Sequence, residues 1–342
     1  MIDDDILAPE RLALVRDFLH RAGRGEAAVT LLAGDASFRK YFRVATPAHG
    51  REVLMDAPPP QEDVRPFVRI ARHLAGLGLS APRILAEDTA AGLLLLEDLG
   101  DDTYTRLLAK GDPAEEALYA LAVDALIALH RTAPPAEGVP PYDLQKLLTE
   151  ASLLTDWYVP ATQGEDALDH AARAAYLAAW RDALAAVAGA MPDALVLRDF
   201  HVDNLMLLPE CDGVAACGLL DFQDAVVGPV TYDLMSLLED ARRDIDAGLI
   251  AAMTERYLSA FPQLDRDAFA ASFAVLGAQR HAKVIGIFTR LYKRDGKPQY
   301  LRHIPRVWRL FERSLAHPAL APVKAWVDTH VPPAQRIVPP CP

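Results

Sequence analysis

Hydrophobic and polar positions along the first third of the chain predict mainly β-strands. An amphipathic helix opens this part, with Leu12, Val15 and Leu19 at helical spacing. A second helix is predicted around Val64 to Leu77. Between and after these helices, alternating or continuous apolar runs bounded by turn residues predict five strands. Their segments are "AVTLLAG", "YFRVAT", "REVLMDA", "PRILAED" and "GLLLLEDL".

From about Asp101 the apolar residues instead recur every three to four positions, which is typical of long helices. The longest such segments are "DPAEEALYALAVDALIALHRT", "LDHAARAAYLAAWRDALAAVA" and "DAFAASFAVLGAQRHAKVIGIFTRLY". Two short apolar strands, "NLMLL" and "GLLDF", interrupt the helices between Leu195 and Phe222. A β-rich part followed by a helical part predicts an α+β fold.

The length and net charge of the chain limit its number of lobes and the classes of ligand that it can bind. A chain of 342 residues can bury a sizeable core and suggests about two lobes. The net charge of −12 disfavours a nucleic acid, and no apolar run reaches the ~20 residues of a membrane span. The acidic start "MIDDDILAPERL" is unlike a signal peptide. We therefore expect a cytoplasmic protein with small-molecule ligands, without nucleic-acid or membrane partners.

The densest group of polar residues lies in "LVLRDFHVDNLML", between two hydrophobic runs. Asp199 and Asn204 have the spacing D-x-x-x-x-N, and Asp221 follows the next strand in "LLDFQD". Phosphoryl transfer needs an acceptor for the substrate hydroxyl proton and oxygen ligands for Mg²⁺. Polar loop residues that bond their own backbone would give the same pattern, so this motif alone is weak.

Further segments match in the same chain order. "AGLLLLEDLGDD" looks like an edge strand and hinge beside adenine, "LLAGDASFRKYFRV" like a hairpin over phosphates, and "GPVTYDLMSLLED" like the helix after the second metal ligand. With "RDFHVDN" and "LLDFQDA", they make the chain resemble the aminoglycoside phosphotransferase and choline kinase family over roughly residues 31–238. The resemblance implies a bilobal protein-kinase-like fold with the active site between the lobes. It implies a β-rich nucleotide-binding lobe at 1–96, a hinge at 97–100 and a helical lobe at 101–342.

More closely, the chain is similar to bacterial anomeric sugar kinases. This similarity implies ATP- and Mg²⁺-dependent phosphorylation of the 1-hydroxyl of N-acetylmuramate or N-acetylglucosamine, in peptidoglycan recycling. A related phosphotransferase for an aminoglycoside, choline or homoserine is the enzymatic alternative. A non-catalytic nucleotide-binding pseudokinase is the alternative from another class.

The resemblance assigns a role to each matching residue. Asp199 matches the catalytic base, Asn204 and Asp221 match the metal ligands, and Asp233 matches an aspartate that braces the catalytic loop. The residues expected to contact ATP are Ser37, Arg39, Arg43, Glu97 and Leu99.

The chain departs from the family where the phosphate-binding lysine is expected. Met55 stands at that position, and Phe67 is the best match to the glutamate partner, with Glu62 as an alternative. Another cation is therefore expected to meet the triphosphate, from among three residues on the phosphate-covering hairpin, namely Arg39, Lys40 and Arg43. Strand alternation places Arg39 and Arg43 on one face and Lys40 on the other. A further departure is Leu197, where protein kinases carry histidine.

Acceptor recognition is assigned to polar residues around the motif and on one later helix. They are His201, Asp203, Gln223, Asp224, Arg280 and Lys283. The helix carries the run Gln279, Arg280, His281 and Lys283 within apolar sequence. Either this run is solvated surface, or it lines a pocket and supplies positive charge for an anionic sugar.

Overall fold

The alternating segments of the first part pair into one antiparallel sheet. A computed structural model describes residues 6–34, 38–135 and 137–340 of the chain. The sheet has the spatial order β1-β2-β3-β5-β4, and all five predicted strands are present in it. Their bounds are β1 (Ala28–Gly34), β2 (Lys40–Thr46), β3 (Gly50–Asp56), β4 (Ile84–Asp88) and β5 (Leu93–Glu97).

The helices follow the predicted segments closely, including the three long ones. In chain order they are α1 (Pro9–Arg21), α2 (Arg65–Gly76), α3 (Tyr104–Lys110), α4 (Glu115–His130), α5 (Leu144–Ala151), α6 (Val159–Gln163), α7 (His170–Ala185), α8 (Thr231–Leu238), α9 (Ala247–Ala260), α10 (Arg266–Asp295), α11 (Ile304–Ser314) and α12 (Ala321–His330).

Two short antiparallel pairs lie in the later part of the chain. Their strands are β6 (Asp193–Val196), β7 (Leu205–Leu207), β8 (Cys217–Leu219) and β9 (Val226–Pro229). The predicted strands "NLMLL" and "GLLDF" form the β7–β8 pair, with Leu205 opposite Leu219. The two apolar runs that flank the "RDFHVDN" motif do not pair with each other, because β6 pairs with β9 instead.

Contacts divide the chain into two compact units. The first unit comprises Met1–Leu129 and Val202–Ala225, and the second comprises His130–His201 and Val226–Pro342. Residues 202–225 belong to the first unit because backbone bridges join Ser80 to Gly218 and Thr103 to Met206. The bounds of these units differ from the lobe boundaries expected from the sequence. The division into a nucleotide-binding lobe, a hinge and a helical lobe stays a prediction.

In the first unit, strand alternation gives the sheet two different faces. Phe42, Val44 and Leu54 pack against α1 through its buried residues, such as Val15 and Phe18. The opposite face presents side chains to a cavity instead, among them Tyr41, Val53 and Leu96. Period-two alternation therefore separates a structural face from a ligand-accessible one.

The second unit is built around α10, whose 30 residues run through its hydrophobic core. In α10, Gly286 lies against the segment that follows α5. A Cβ added to it would come within 2.3 Å of the Leu153 backbone. Glycine is needed there for close packing. Within the part of the chain that the structure describes, no helix is both long and apolar enough to cross a membrane.

Candidate nucleotide and catalytic site

The cavity on the open face of the sheet has a volume of about 350 Å³. Apolar side chains cover its sides, including Val53, Phe67, Met206 and Leu220. Residues 97–100 line one part of the cavity, and Asn204 and Asp221 also line it. Such a combination of an apolar slot with a few polar groups is typical of a small-molecule site.

The segment 97–100 is held in one conformation by hydrogen bonds. The Glu97 N–H donates to the Arg83 carbonyl O at 2.9 Å, so this amide is already used within the protein. The Gly100 N–H donates to Asp98 Oδ1 at 2.9 Å, and Gly100 has a φ of 90°. That left-handed conformation favours glycine. Glu97 and Leu99, both expected to contact ATP, line the cavity.

The β7–β8 hairpin brings the two predicted metal ligands together. The Asn204 side-chain amide lies 3.4 Å from Asp221 Oδ2, and Gln223 donates to Asp221 Oδ1 at 2.7 Å. Asp221 has a φ of 57°, which is uncommon outside glycine and which aspartate tolerates better than most residues. Next to it, Phe222 stacks on Phe67 with ring centroids 4.8 Å apart. These contacts fix the direction of the Asp221 carboxylate.

This donor set suits a hard divalent cation. An amide oxygen and a carboxylate are oxygen ligands of the kind that Mg²⁺ binds, with nucleotide phosphates and waters completing its shell. The Asp221 side chain is 34% exposed, so it remains accessible to such an ion. Among the described residues, no group of three or more His, Cys, Asp or Glu side chains forms a closed metal site.

The three cations predicted to meet the triphosphate, Arg39, Lys40 and Arg43, have separate partners. Lys40 donates to the Ile6 carbonyl O at 2.7 Å, on the α1 side of the sheet. Arg43 pairs with Asp98 at 2.7 Å and with Asp101 at 3.0 Å. Arg39 instead lies 3.6 Å from Asp221 Oδ1 and 3.9 Å from Glu62.

Of the two remaining positions that concern the nucleotide, Ser37 and Met55, the structure describes only Met55. Ser37 lies outside the described residues. The Met55 side chain, which replaces the expected lysine, is buried in β3, with Tyr41 and Leu94 opposite it in the neighbouring strands. No charge is supplied from this strand position.

In the second unit, the predicted base follows a residue in an unusual backbone conformation. Arg198 has a φ of 73°, and the N–H groups of Leu197 and Arg198 both donate to the Asp233 carboxylate, at 2.6 and 2.9 Å. Burial raises the pKa of Asp233 to about 7, and the two backbone N–H groups oppose this rise. Asp233 thereby holds the backbone immediately before Asp199.

The six residues predicted to recognise the acceptor lie in different surroundings. Asp203 accepts a hydrogen bond from the Thr105 hydroxyl, Gln223 is bonded to Asp221, and Asp224 is exposed. His201 is buried, and burial together with Arg242 and Arg280 lowers its pKa well below the ordinary value. His201 is therefore neutral at neutral pH and supplies no positive charge to an anionic acceptor.

The polar run on α10 is interior, not solvated surface. Gln279, Arg280, His281 and Lys283 are all buried. His281 bonds to the Glu239 carboxylate at 2.6 Å, and Lys283 lies 3.2 Å from Glu150. The positive charge of Lys283 is thus already paired inside the protein.

Glu150 is the centre of a buried network that the sequence pattern did not reveal. Its carboxylate accepts hydrogen bonds from Arg198 and, at 2.5 Å, from Tyr142, and it pairs with Lys283. Burial by itself raises the pKa of Glu150, but Lys283 and Arg198 bring it below the ordinary value. A single glutamate in the helical segment "LQKLLTEA" gives no signal of this role.

Replacing Glu150 with glutamine is expected to destabilise the protein by about 3–5 kcal/mol, because two buried cations lose their carboxylate. Glu255→Gln is the matched control, since Glu255 pairs with Arg266 on the surface and exposed pairs contribute about 0–1 kcal/mol. Denaturant unfolding at neutral pH compares the two variants. The stabilisation should also fade as the pH drops below 4.5, where the carboxylate of the unfolded chain becomes protonated. Equal losses in both variants would contradict the network.

Comparisons with known proteins agree with this geometry. Residues 28–270 match the profile of the phosphotransferase enzyme family. A curated relative from Caulobacter vibrioides, named N-acetylmuramate/N-acetylglucosamine kinase, is 40% identical over 95% of this chain and 98% of its own length. A protein of the same name from Pseudomonas aeruginosa is 42% identical over 84% of each chain.

Solved structures show the same fold at low sequence identity. A choline/ethanolamine kinase family protein from Mesorhizobium loti superposes with a TM-score of 0.62 at 17% identity, covering 93% of this chain and 99% of its own. An ADP-bound aminoglycoside phosphotransferase superposes with a TM-score of 0.58 at 15% identity, covering 90% and 99%. The predicted protein-kinase-like α+β fold is confirmed, and the chain belongs to the phosphotransferase enzyme family.

Proposed function

We propose that the protein transfers the γ-phosphoryl group of ATP to the anomeric hydroxyl of N-acetylmuramate or N-acetylglucosamine, giving the sugar 1-phosphate. The observation that carries this proposal is the match to relatives named N-acetylmuramate/N-acetylglucosamine kinase along nearly the whole chain. By the resemblance, this product would enter the recycling of peptidoglycan sugars.

Asp199 is proposed as the base that takes the proton of the acceptor hydroxyl as the phosphoryl group reaches its oxygen. Two hydrogen bonds to Asp233 fix the backbone before Asp199, and the Arg198 side chain is fixed by Glu150. A base that follows a segment held in this way needs little backbone reorganisation when the substrate arrives. This local rigidity supports the proposed role.

Asn204 and Asp221 are proposed to hold Mg²⁺. When bound, the ion neutralises charge on the nucleotide phosphates. Gln223 donates a 2.7 Å hydrogen bond to Asp221 and thereby supports the proposed metal ligand. Its contact with the acceptor stays a prediction.

The apolar cavity is proposed to hold the adenine base between the sheet and Met206 and Leu220. The hinge presents backbone groups at its edge, and the Glu97 amide is excluded as a donor because Arg83 uses it. Leu99 is the remaining predicted backbone donor in this segment. The protein would then recognise adenine through few hydrogen bonds and extensive apolar contact.

An acceptor panel tests the proposed activity. The protein is incubated with ATP, magnesium and, separately, N-acetylmuramate, N-acetylglucosamine, an aminoglycoside, choline and homoserine, and the products are identified by phosphorus NMR. We expect a sugar 1-phosphate from the two amino sugars and much slower transfer to the others. A sugar reduced at its anomeric carbon is the matched control, since it lacks the accepting hydroxyl and should remain unmodified. Nucleotide binding without transfer to any acceptor would instead indicate a pseudokinase.

A further inference from the structure

The cavity that suits a nucleotide has no cationic side chain among its described lining residues. Among its described lining residues, Glu97, Asp98 and Asp221 carry carboxylates and none is a lysine or arginine. Met55, on the same face of β3 as Val53, is buried and uncharged. A triphosphate therefore needs a cation from a residue next to the cavity, in addition to a metal ion.

Two of the three hairpin cations make their contacts away from Asp221. Lys40 is on the α1 side of the sheet and donates to Ile6. Arg43 makes close contacts with Asp98, at 2.7 and 3.2 Å, and these two residues join β2 to the segment 97–100. The Asp98 side chain is 3% exposed, so removing Arg43 would leave a buried carboxylate with one fewer partner.

Arg39 has a different environment. Its side chain is only 10% exposed, and its guanidinium lies between Asp221 at 3.6 Å and Glu62 at 3.9 Å. Both distances are longer than the 2.7 Å contact of Arg43 with Asp98. Glu62 also accepts the Phe38 N–H at 3.2 Å, which keeps its carboxylate beside the start of β2. Arg39 is thus a largely buried cation beside the predicted metal ligand, between two carboxylates.

We propose that Arg39 binds the nucleotide phosphates and that Glu62 orients it, so that this pair replaces the lysine and glutamate missing at Met55 and Phe67. In the nucleotide-free protein Arg39 neutralises Asp221. A metal ion bound by Asp221 repels the guanidinium, while phosphate oxygens attract it, so Arg39 exchanges one anion for the other. Arg43 is a positioning residue that fixes the segment 97–100 and thereby the nucleoside half of the site. This proposal rests on the proposed phosphotransfer function.

Binding measurements separate the two arginines without relying on turnover. Calorimetric titrations with adenosine and with magnesium–ADP are made on the parent, Arg39→Ala and Arg43→Ala. For Arg39→Ala we expect ADP affinity to fall about 10- to 100-fold, the scale of a lost charged hydrogen bond, with adenosine affinity unchanged. For Arg43→Ala we expect adenosine and ADP affinities to fall by the same factor, since both ligands share the nucleoside. Arg72→Ala, whose side chain pairs with Glu87 on the surface, is the charge-matched control and should change neither affinity.

Further variants distinguish a phosphate contact from a structural role. Glu62→Gln should weaken ADP binding less than Arg39→Ala does. Arg39→Lys should bind ADP more tightly than Arg39→Ala, because lysine restores the positive charge but not the paired N–H donors of the guanidinium. Unchanged ADP affinity in a folded Arg39→Ala protein would overturn the proposal, as would equal loss of adenosine binding. If Arg39→Ala does not fold, Arg39→Lys and Arg39→Gln decide: equal ADP affinities in these two variants would also overturn it. A parent protein that binds no adenine nucleotide would overturn the proposed function itself. If the parent is active but Arg39→Ala leaves its ADP affinity unchanged, only this inference is overturned.

Discussion

Replacing Asp199 with asparagine is expected to lower kcat by ~10²-fold or more, with nucleotide affinity nearly unchanged. Asparagine keeps the size of the side chain but cannot accept the hydroxyl proton. The backbone before it should stay in place, because Asp233 holds Leu197 and Arg198 through their N–H groups. Steady-state kinetics with varied sugar and ATP measure the loss.

The control for this variant is Asp212→Asn, the same change at an exposed loop position. It should leave kcat as in the parent protein. Thermal melting establishes that both variants are folded, and ADP titration establishes that the nucleotide site is intact. Near-normal turnover of the Asp199 variant would remove this residue from the role of base.

Replacing Asp221 is expected to abolish magnesium-dependent transfer at ordinary magnesium concentration, because the carboxylate is the charged member of the proposed ligand pair. Asparagine is the more informative substitution, since it tolerates the left-handed backbone at φ 57° better than alanine does. Asn204→Ala should be less severe and partly restored by additional magnesium, since Asp221 remains. Transfer rates over a magnesium series compare the variants.

A second measurement on the Asp221 variant does not depend on catalysis. In the parent protein, magnesium should strengthen ADP binding, and in Asp221→Asn this dependence should be lost while adenosine still binds. Parent-like transfer by the variant at ordinary magnesium concentration would mean that the metal ligands have been misidentified. Retained dependence of ADP binding on magnesium would lead to the same conclusion.

The elements of the fold were largely predictable because their signals are local. Strand β2 and helix α2 lie within one residue of the segments expected from alternation and helical period. The "RDFHVDN" and "LLDFQD" segments could be recognised because the residues of each lie close together in the chain. Pairing was less predictable: β6 and β9 are four-residue strands that meet across about 30 residues of intervening chain. Such short strands carry too little pattern to identify a partner.

Charge partners were the least predictable feature of the site. Alternation correctly separates Lys40 from Arg43 on β2, but it does not reveal that Arg43 meets Asp98, 55 positions later. The polar run on α10 was equally consistent with a solvated surface and with a pocket. Its burial depends on Glu150 and Glu239, carboxylates from other helices or their ends. A charged side chain is stable in the interior only when such a partner is present.

The sequence by itself determined the α+β class and, through its resemblance to known proteins, the family, and it predicts the catalytic base and the metal ligands. The class follows from periodicity, whereas the family and the predicted roles follow from the resemblance of short motifs to those of known phosphotransferases. Both signals lie among neighbouring residues. Tertiary structure decided which hairpin cation lies beside Asp221, which carboxylate pairs with Arg43, and that Lys283 is paired internally with Glu150. The physical reason is that electrostatic interactions act through space at a few ångströms, whereas the chain brings such groups together only when distant segments pack.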